Sequence, residues 1–296
     1  MMVFINLYLI PSLALGSIYA LGAVGISMIY GILRFSHFAH GDVMTIGAYG
    51  TLSAVWAFHL HPLLALPFGI ALAVAVALLA DRAFYRPMRR LPTIYSVIAS
   101  FGVALMIRSL VQLVWGPQNQ VFQDGARMPL VLFDSLRVSP LHLQSIAITL
   151  VLAMVLQWFL TRTRTGRSMR AVSDDPDLAS IAGLEPERVI RWTWIIGAAL
   201  AATAGVLAGM DTQVHAAMGW NLLLAMFASA LLGGIGKPMG AVAGGFIIGM
   251  VEELSTYPWI GTESLVSPSY KSALAFVIMV LVLLFRPQGI MRGRLL

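Results

Sequence analysis

Cysteine is absent from all 296 residues, which removes disulfides, thiolate metal sites and cysteine nucleophiles from consideration. Charge is nearly as scarce. Asp, Glu, Lys and Arg make up 11% of the chain, against about 25% in ordinary soluble domains. No basic stretch precedes the first apolar run and no convincing small-residue cleavage site follows it, so the first span is expected to be retained. The roughly ten-residue alternation of an outer-membrane barrel is missing too. GGIGKP, at 233–238, is not a phosphate-binding loop: Leu231 stands where a glycine is needed, and Pro238 replaces the Ser/Thr. The chain is therefore not expected to hydrolyse ATP. Nor does it hold a serine–histidine–aspartate pattern or paired membrane aspartates, so it is not read as an enzyme.

What is present is apolar. Hydrophobic residues make up 59% of the chain, and several runs reach the roughly 20 residues that cross a bilayer core. The expected spans are 4–32, 44–60, 63–79, 93–115, 141–160, 189–210 and 271–285. Two shorter stretches, 222–232 and 246–251, flank a glycine- and proline-rich break and read as a hairpin of short helices or one broken helix. Residues 116–140 read as a loop. The fold class is all-α: a single polytopic membrane domain covering 1–296, with about eight or nine transmembrane helices and glycine-rich breaks. Small residues in the first span, and Gly197, Ala201, Gly205 and Gly209 at every fourth position of the sixth, mark faces where backbones approach closely.

The longest hydrophilic interval, 162–191, holds six of the nineteen basic and five of the thirteen acidic residues. Its punctuation predicts a folded element. Asp175 suits an N-cap, Pro176 the first helical position, Asp177 the positive end of the dipole, and Gly183 the C-terminus. That gives a helix of about two turns, roughly 10 Å long, with Leu178, Ile181 and Ala182 on one face. So short a helix is unstable alone. Either the membrane domain or a partner must hold it, unless the interval is simply a solvated loop.

If the loops at Arg34, 82–90, 162–191 and Lys237 share a side with the C-terminal tail, that side carries 15 of the 19 Lys/Arg and is cytoplasmic by the positive-inside rule. The net charge of +6 has the same origin and does not imply nucleic acid. In RFSHFAHGD, 34–42, His37 and His40 beside Asp42 admit three readings: a weak metal pair, a polar cap, or a lining of the solute path. Ser17, Tyr19, Ser96, Ser100, Asn221 and Ser229 are either helix-packing hydrogen bonders or path residues. The breaks at 34–42 and 232–245 sit in corresponding positions toward opposite ends of the chain, as in transporters built from internal repeats.

Five segments occur in one order: GSIYALGAVGISMIYGILRFSHFAHGD, YRPMRR, TRTGRSMRAVSDDPDLASIAGLEPERVIRWTWIIGAALAATAGVLAG, LLGGIGKPMGAVAGGFIIG and LFRPQGI. Together they resemble the branched-chain amino acid permease subunit of bacterial ABC importers, the LivH type, over nearly the whole chain. Only 129–140 and 252–268 carry little of the likeness. The resemblance implies a multi-pass inner-membrane permease without cofactor or metal. Its implied partners are two cytoplasmic ATPases, a second permease, taken to be a different chain, and a periplasmic solute-binding protein. It implies that 162–191 docks on the ATPase, with Gly166, Arg170, Ala171, Asp175, Ala179 and Gly183 in characteristic places, and that Ala39–Asp42 lies near the transport path. Candidate path residues are thus Ser17, Tyr19, His40, Gly41, Asp42, Gly233, Gly234 and Gly236. Two alternatives stand: a relative carrying urea or short amides, and a secondary transporter driven by an ion gradient. The latter would favour a buried charge pair at mid-membrane, for which only Asp42 and Arg108, both near predicted span ends, are available.

Overall fold

Prolines open five of the helices, occupying a first-turn position where the missing N–H is not needed. The computed structural model describes residues 4–122, 130–132, 136–258, 266–267, 270–286, 288–291 and 293. Along them run α1 (Ile10–Leu33, preceded by a π turn at Ile5–Leu9), α2 (His40–Phe58) and α3 (Pro62–Ala80, continuing as helix to Met88). Next come α4 (Thr93–Trp115), β1 (Leu130–Leu132), β2 (Leu136–Val138), α5 (Pro140–Arg162), α6 (Arg164–Asp174) and α7 (Pro176–Ile181). The chain ends with α8 (Pro186–Asp211), α9 (Met218–Gly233), α10 (Pro238–Leu254) and α11 (Lys271–Phe285). The all-α reading stands, with one addition: the interval expected to be loop holds the antiparallel hairpin β1–β2. Of the tail basics, Arg292 and Arg294 lie outside the described residues.

Five described helices are long and apolar enough to cross a membrane, and α9 and α11 are shorter apolar helices. This is a multi-pass membrane protein. Helices α1 and α8 are buried along most of their length, whereas α3, α4 and α5 leave most of theirs exposed. Large apolar side chains stand out from those outer helices, among them Leu64, Met106, Leu113 and Trp158. Lipid accommodates such surfaces, because its hydrocarbon asks only that backbone polar groups be satisfied within the helix.

The centre of the bundle is held by small residues. Gly16 and Ala20 of α1 meet Gly249 and Gly245 of α10 in an antiparallel seam with no room for larger groups. Across α1 lies α8, whose every-fourth-residue ladder is in contact as expected. Gly197 lies against Ile29, Ala201 is fully buried, Gly205 meets the Met44 backbone, and Gly209 meets Phe122 and Val214. The stretch 222–251 resolves as two helices, α9 and α10, joined by the turn 234–237.

Segment 34–39 does not stay at the surface. Beyond α1 the backbone turns left-handed at Arg34 and re-enters the bundle, so the His40 ring, at the start of α2, lies beside Gly25. Gly25 is roughly 12 Å back from the end of α1 at 1.5 Å per residue. Non-helical backbone at such depth is tolerated only when protein surrounds it, and Phe35, His37, Ala39, His40 and Asp42 are all buried.

Candidate functional site

Two regions carry most of the residues singled out by sequence. At the basic end, Thr163 closes α5 and caps α6 by accepting from the Gly166 N–H at 3.0 Å. Gly166 fits because any side chain there would run into the Phe159 carbonyl and the Leu160 backbone. Asp175 caps α7, its Oδ1 accepting from the N–H groups of Asp177 (3.0 Å) and Leu178 (2.9 Å). The opposite end is closed by Gly183 at φ +83°, with Gly183 N–H donating to Ser180 O and Leu184 N–H to Ala179 O, both at 3.0 Å. Those two bonds form a Schellman motif, which needs the left-handed residue glycine supplies. Ala179 is buried beneath the helix, but Leu178 is 63% and Ile181 85% exposed. Helix α7 is thus held on one face and leaves an apolar face uncovered.

Helix α6, which the residue pattern did not predict, ties this corner to the membrane helices. Met169 and Val172 are buried, and the Ser173 hydroxyl donates to Gly31 O at 3.0 Å. Beside it opens a cavity of about 390 Å³ lined by Ser27, Gly31, Arg170, Ser173, Gly236 and Lys237, among others. The Gly236 N–H donates to Ser27 Oγ at 3.0 Å, so the 234–237 turn, the end of α1 and α6 meet around one space. Arg170 and Gly236, assigned from sequence to separate tasks, line the same cavity. Gly233 packs against Gly240 across the turn, and Gly234, at φ +106°, lies against Gln288 and Gly293.

The second region surrounds the first turn of α2. Asp42 occupies that turn, where a carboxylate complements the helix dipole. It is 0% exposed and accepts from Arg108 Nε at 3.0 Å and Nη2 at 3.2 Å. A two-bonded guanidinium–carboxylate pair is strong and fixed in orientation. The guanidinium carbon also lies 4.9 Å above the Trp220 ring, within cation–π range. Trp220 gets there because α2 and α9 begin in backbone contact. A side chain on Gly219 would overlap the Gly41 carbonyl, and the Gly219 N–H donates to Thr45 Oγ1 at 3.1 Å. Phe38 stacks on Phe101 at 4.2 Å, with Phe227 adjacent.

The His37 and His40 rings lie 6.1 Å apart, edge to face, and have different further partners. His37 meets the Tyr85 hydroxyl at 3.0 Å and the edge of Trp194, while His40 is pressed against α1. Among the described residues no group of three side chains suited to a metal comes together. Ser17, Ser100 and Ser229 hydroxyls bond carbonyls of their own helices, and Ser100 also receives the Phe38 N–H. Tyr19 donates to Glu252 Oε2 at 2.7 Å, a buried contact between α1 and α10. Glu252 and Trp220 were not singled out from sequence. Tyr19 is a candidate path residue by sequence, and a glutamate at the edge of an apolar run is a visible signal too, but nothing in the residue order says that the two meet.

The chain matches, over residues 8–283, the family described as the permease component of branched-chain amino acid transport systems. It is 32% identical to the high-affinity branched-chain amino acid transport permease protein BraD of Pseudomonas aeruginosa, over 96% of this chain and 94% of that one. With LivH of Escherichia coli K12, similarly described, it shares 33% identity over 94% and 92% of the two chains. A chain of a metal-chelate-type ABC transporter, solved in an inward-facing conformation, superposes with a TM-score of 0.53 at 17% identity, covering 96% of this chain and 89% of its own. That last likeness concerns the fold alone.

Proposed function

This chain belongs to the family of permease components of branched-chain amino acid transport systems, and from that premise we propose how it works. It is the membrane path of an ATP-driven importer that moves branched-chain or related hydrophobic amino acids inward across the cytoplasmic membrane. It acts with a second permease, a periplasmic binding protein and two cytoplasmic ATPases. The basic end faces the cytoplasm. There the α6–α7 corner seats in the ATPase, and Leu178 and Ile181 are the side chains the ATPase covers.

The observation that carries this reading is the uncovered apolar face of α7, on a helix fixed at both ends. Capping and the buried Ala179 hold the helix in place, so the exposed face is preorganised for binding. Movement imposed on the corner reaches the membrane helices through the Ser173–Gly31 bond and the shared cavity. Nucleotide state biases access only through contacts that differ between the two conformations.

The test replaces Leu178 and Ile181 together by aspartate. The ATPases should no longer co-purify with the permease, and ATP-dependent uptake should fall at least tenfold while the permease still melts as a folded protein. Unchanged co-purification and uptake would end the docking assignment. An ion-gradient mechanism gains one observation, the buried Asp42–Arg108 pair. Against it, a guanidinium does not release its proton in proteins. Gradient-driven uptake by this chain alone in vesicles would decide for that mechanism.

A further inference from the structure

Arg108 is out of place on α4. Phe101 and Leu105 on its own stripe of that helix, and Met106 and Leu110 farther round, are all exposed, yet its side chain is only 19% exposed. Its depth is roughly 10 Å from the nearer end of the helix at 1.5 Å per residue. A guanidinium edge turned to hydrocarbon is strongly disfavoured. The α4 stripe carrying Phe101, Leu105, Arg108 and Gln112 is therefore not a lipid face, and the opposite side of the helix, carrying Met106 and Leu110, is free to be one.

The geometry also shows which part of Arg108 is still available. Nε and Nη2 are engaged by Asp42, and one face of the group lies over Trp220. Nη1 makes no hydrogen bond among the described residues, and part of the side chain remains exposed. A planar guanidinium offers two forked edges, and each fits a carboxylate. Here one edge is taken by a buried carboxylate that holds the group rigid and cancels its charge. A second carboxylate on the outer edge would thus be recognised by shape and hydrogen bonding while being held weakly enough to leave.

We propose that Arg108, positioned by Asp42, makes the carboxylate contact of the transported amino acid on a path that runs along this face of α4. This rests on the importer reading given above. Trp220 and Phe101, both partly exposed on the same side, flank the apolar part of the solute. Gln112, one turn farther along the stripe and exposed, offers its amide oxygen to the ammonium group. The Asp42–Arg108 pair is then a preorganised half-site, and what it selects is a free carboxylate.

The experiment uses the complete transporter in proteoliposomes, with radiolabelled leucine as the probe. Removing Arg108 alone would leave Asp42 buried and unpaired, so the variant is the double neutral exchange Asp42→Asn with Arg108→Gln. Leucine imported per ATP hydrolysed should fall at least tenfold in the assembled complex. Because the chain has no cysteine, Leu105→Cys and Met106→Cys give an independent measurement. During turnover a membrane-impermeant thiol reagent should modify Leu105→Cys and not Met106→Cys, and saturating leucine should slow that modification at least threefold. A transport ratio within twofold of wild type would overturn the proposal, as would equal reactivity at the two cysteines. Loss of assembly in the double exchange together with an unreactive Leu105→Cys would also overturn it, because Arg108 would then face the second permease. The wild-type control tests the importer reading separately: uptake without ATP would sink that reading whatever Arg108 does.

Discussion

At the α6–α7 corner the hydrogen bonds that cap the helices join residues within five positions of each other: Thr163 to Gly166, Asp175 to Asp177 and Leu178, Leu184 to Ala179; the bond from Ser173 to Gly31 is the long-range tie. Around Asp42 the bonds reach much farther along the chain. Arg108 is 66 residues away, and Gly219 lies 174 from Thr45. The corner is a local structure with apolar side chains uncovered, whereas the Asp42 knot has its carboxylate buried and exists only when α2, α4 and α9 are in place together. A self-capped element can be gripped and moved without the bundle unfolding. A knot made of three helices changes only when those helices move, which suits a contact lining a path that opens and closes.

The largest effect is expected at the knot. Asp42→Ala leaves the Arg108 guanidinium without its buried partner and should cost roughly 3–5 kcal/mol. The expected outcome is a large drop in the melting temperature of the detergent-extracted permease. A variant as stable as wild type would show that the pair holds nothing together. A smaller effect is expected at the corner. Gly183→Val forces a β-branched residue into the left-handed region and should cost about 1–2 kcal/mol, confined to α7. Amide exchange at Leu184 should quicken and ATP-dependent uptake decline, with little change in the melting of the bundle. If Gly183→Val lowered the melting temperature as far as Asp42→Ala, the corner would not be an independent unit. The mildest change is Asp175→Ala, worth about 1 kcal/mol for a lost N-cap. Faster amide exchange at Asp177 and Leu178 is the measurement, and unaltered exchange there would mean the cap does not hold the helix.

Local signals made the corner legible in advance. Asp175, Pro176 and Gly183 each act on neighbours a few positions away, so their residue types are enough to place α7. Helix α6 escaped notice because its buried Met169 and Val172 stand among arginines and serines with no apolar run to flag them. In the membrane, Arg108 stood out as a charge within an apolar span, and Asp42 as an acid beside one. The two are the only candidates for a buried charge pair by sequence, near predicted span ends, and the structure pairs them because α2 starts inside the bundle. Trp220 gave no sign at all, since an aromatic residue near a helix end is ordinary in a membrane protein.

Residue order alone settles that the chain is helical and apolar, where its small-residue seams lie, and how α7 is capped. These depend on composition, on periodicity, and on hydrogen bonds that close within a turn. Packing in three dimensions is what brings 34–39 back into the bundle, sets the Asp42–Arg108 pair over Trp220, and gives Arg170 and Gly236 one cavity. The physical reason is that depth and rotation of one apolar helix against another are set by packing many small side chains together, and a nearly uniform apolar background does not encode which faces will meet.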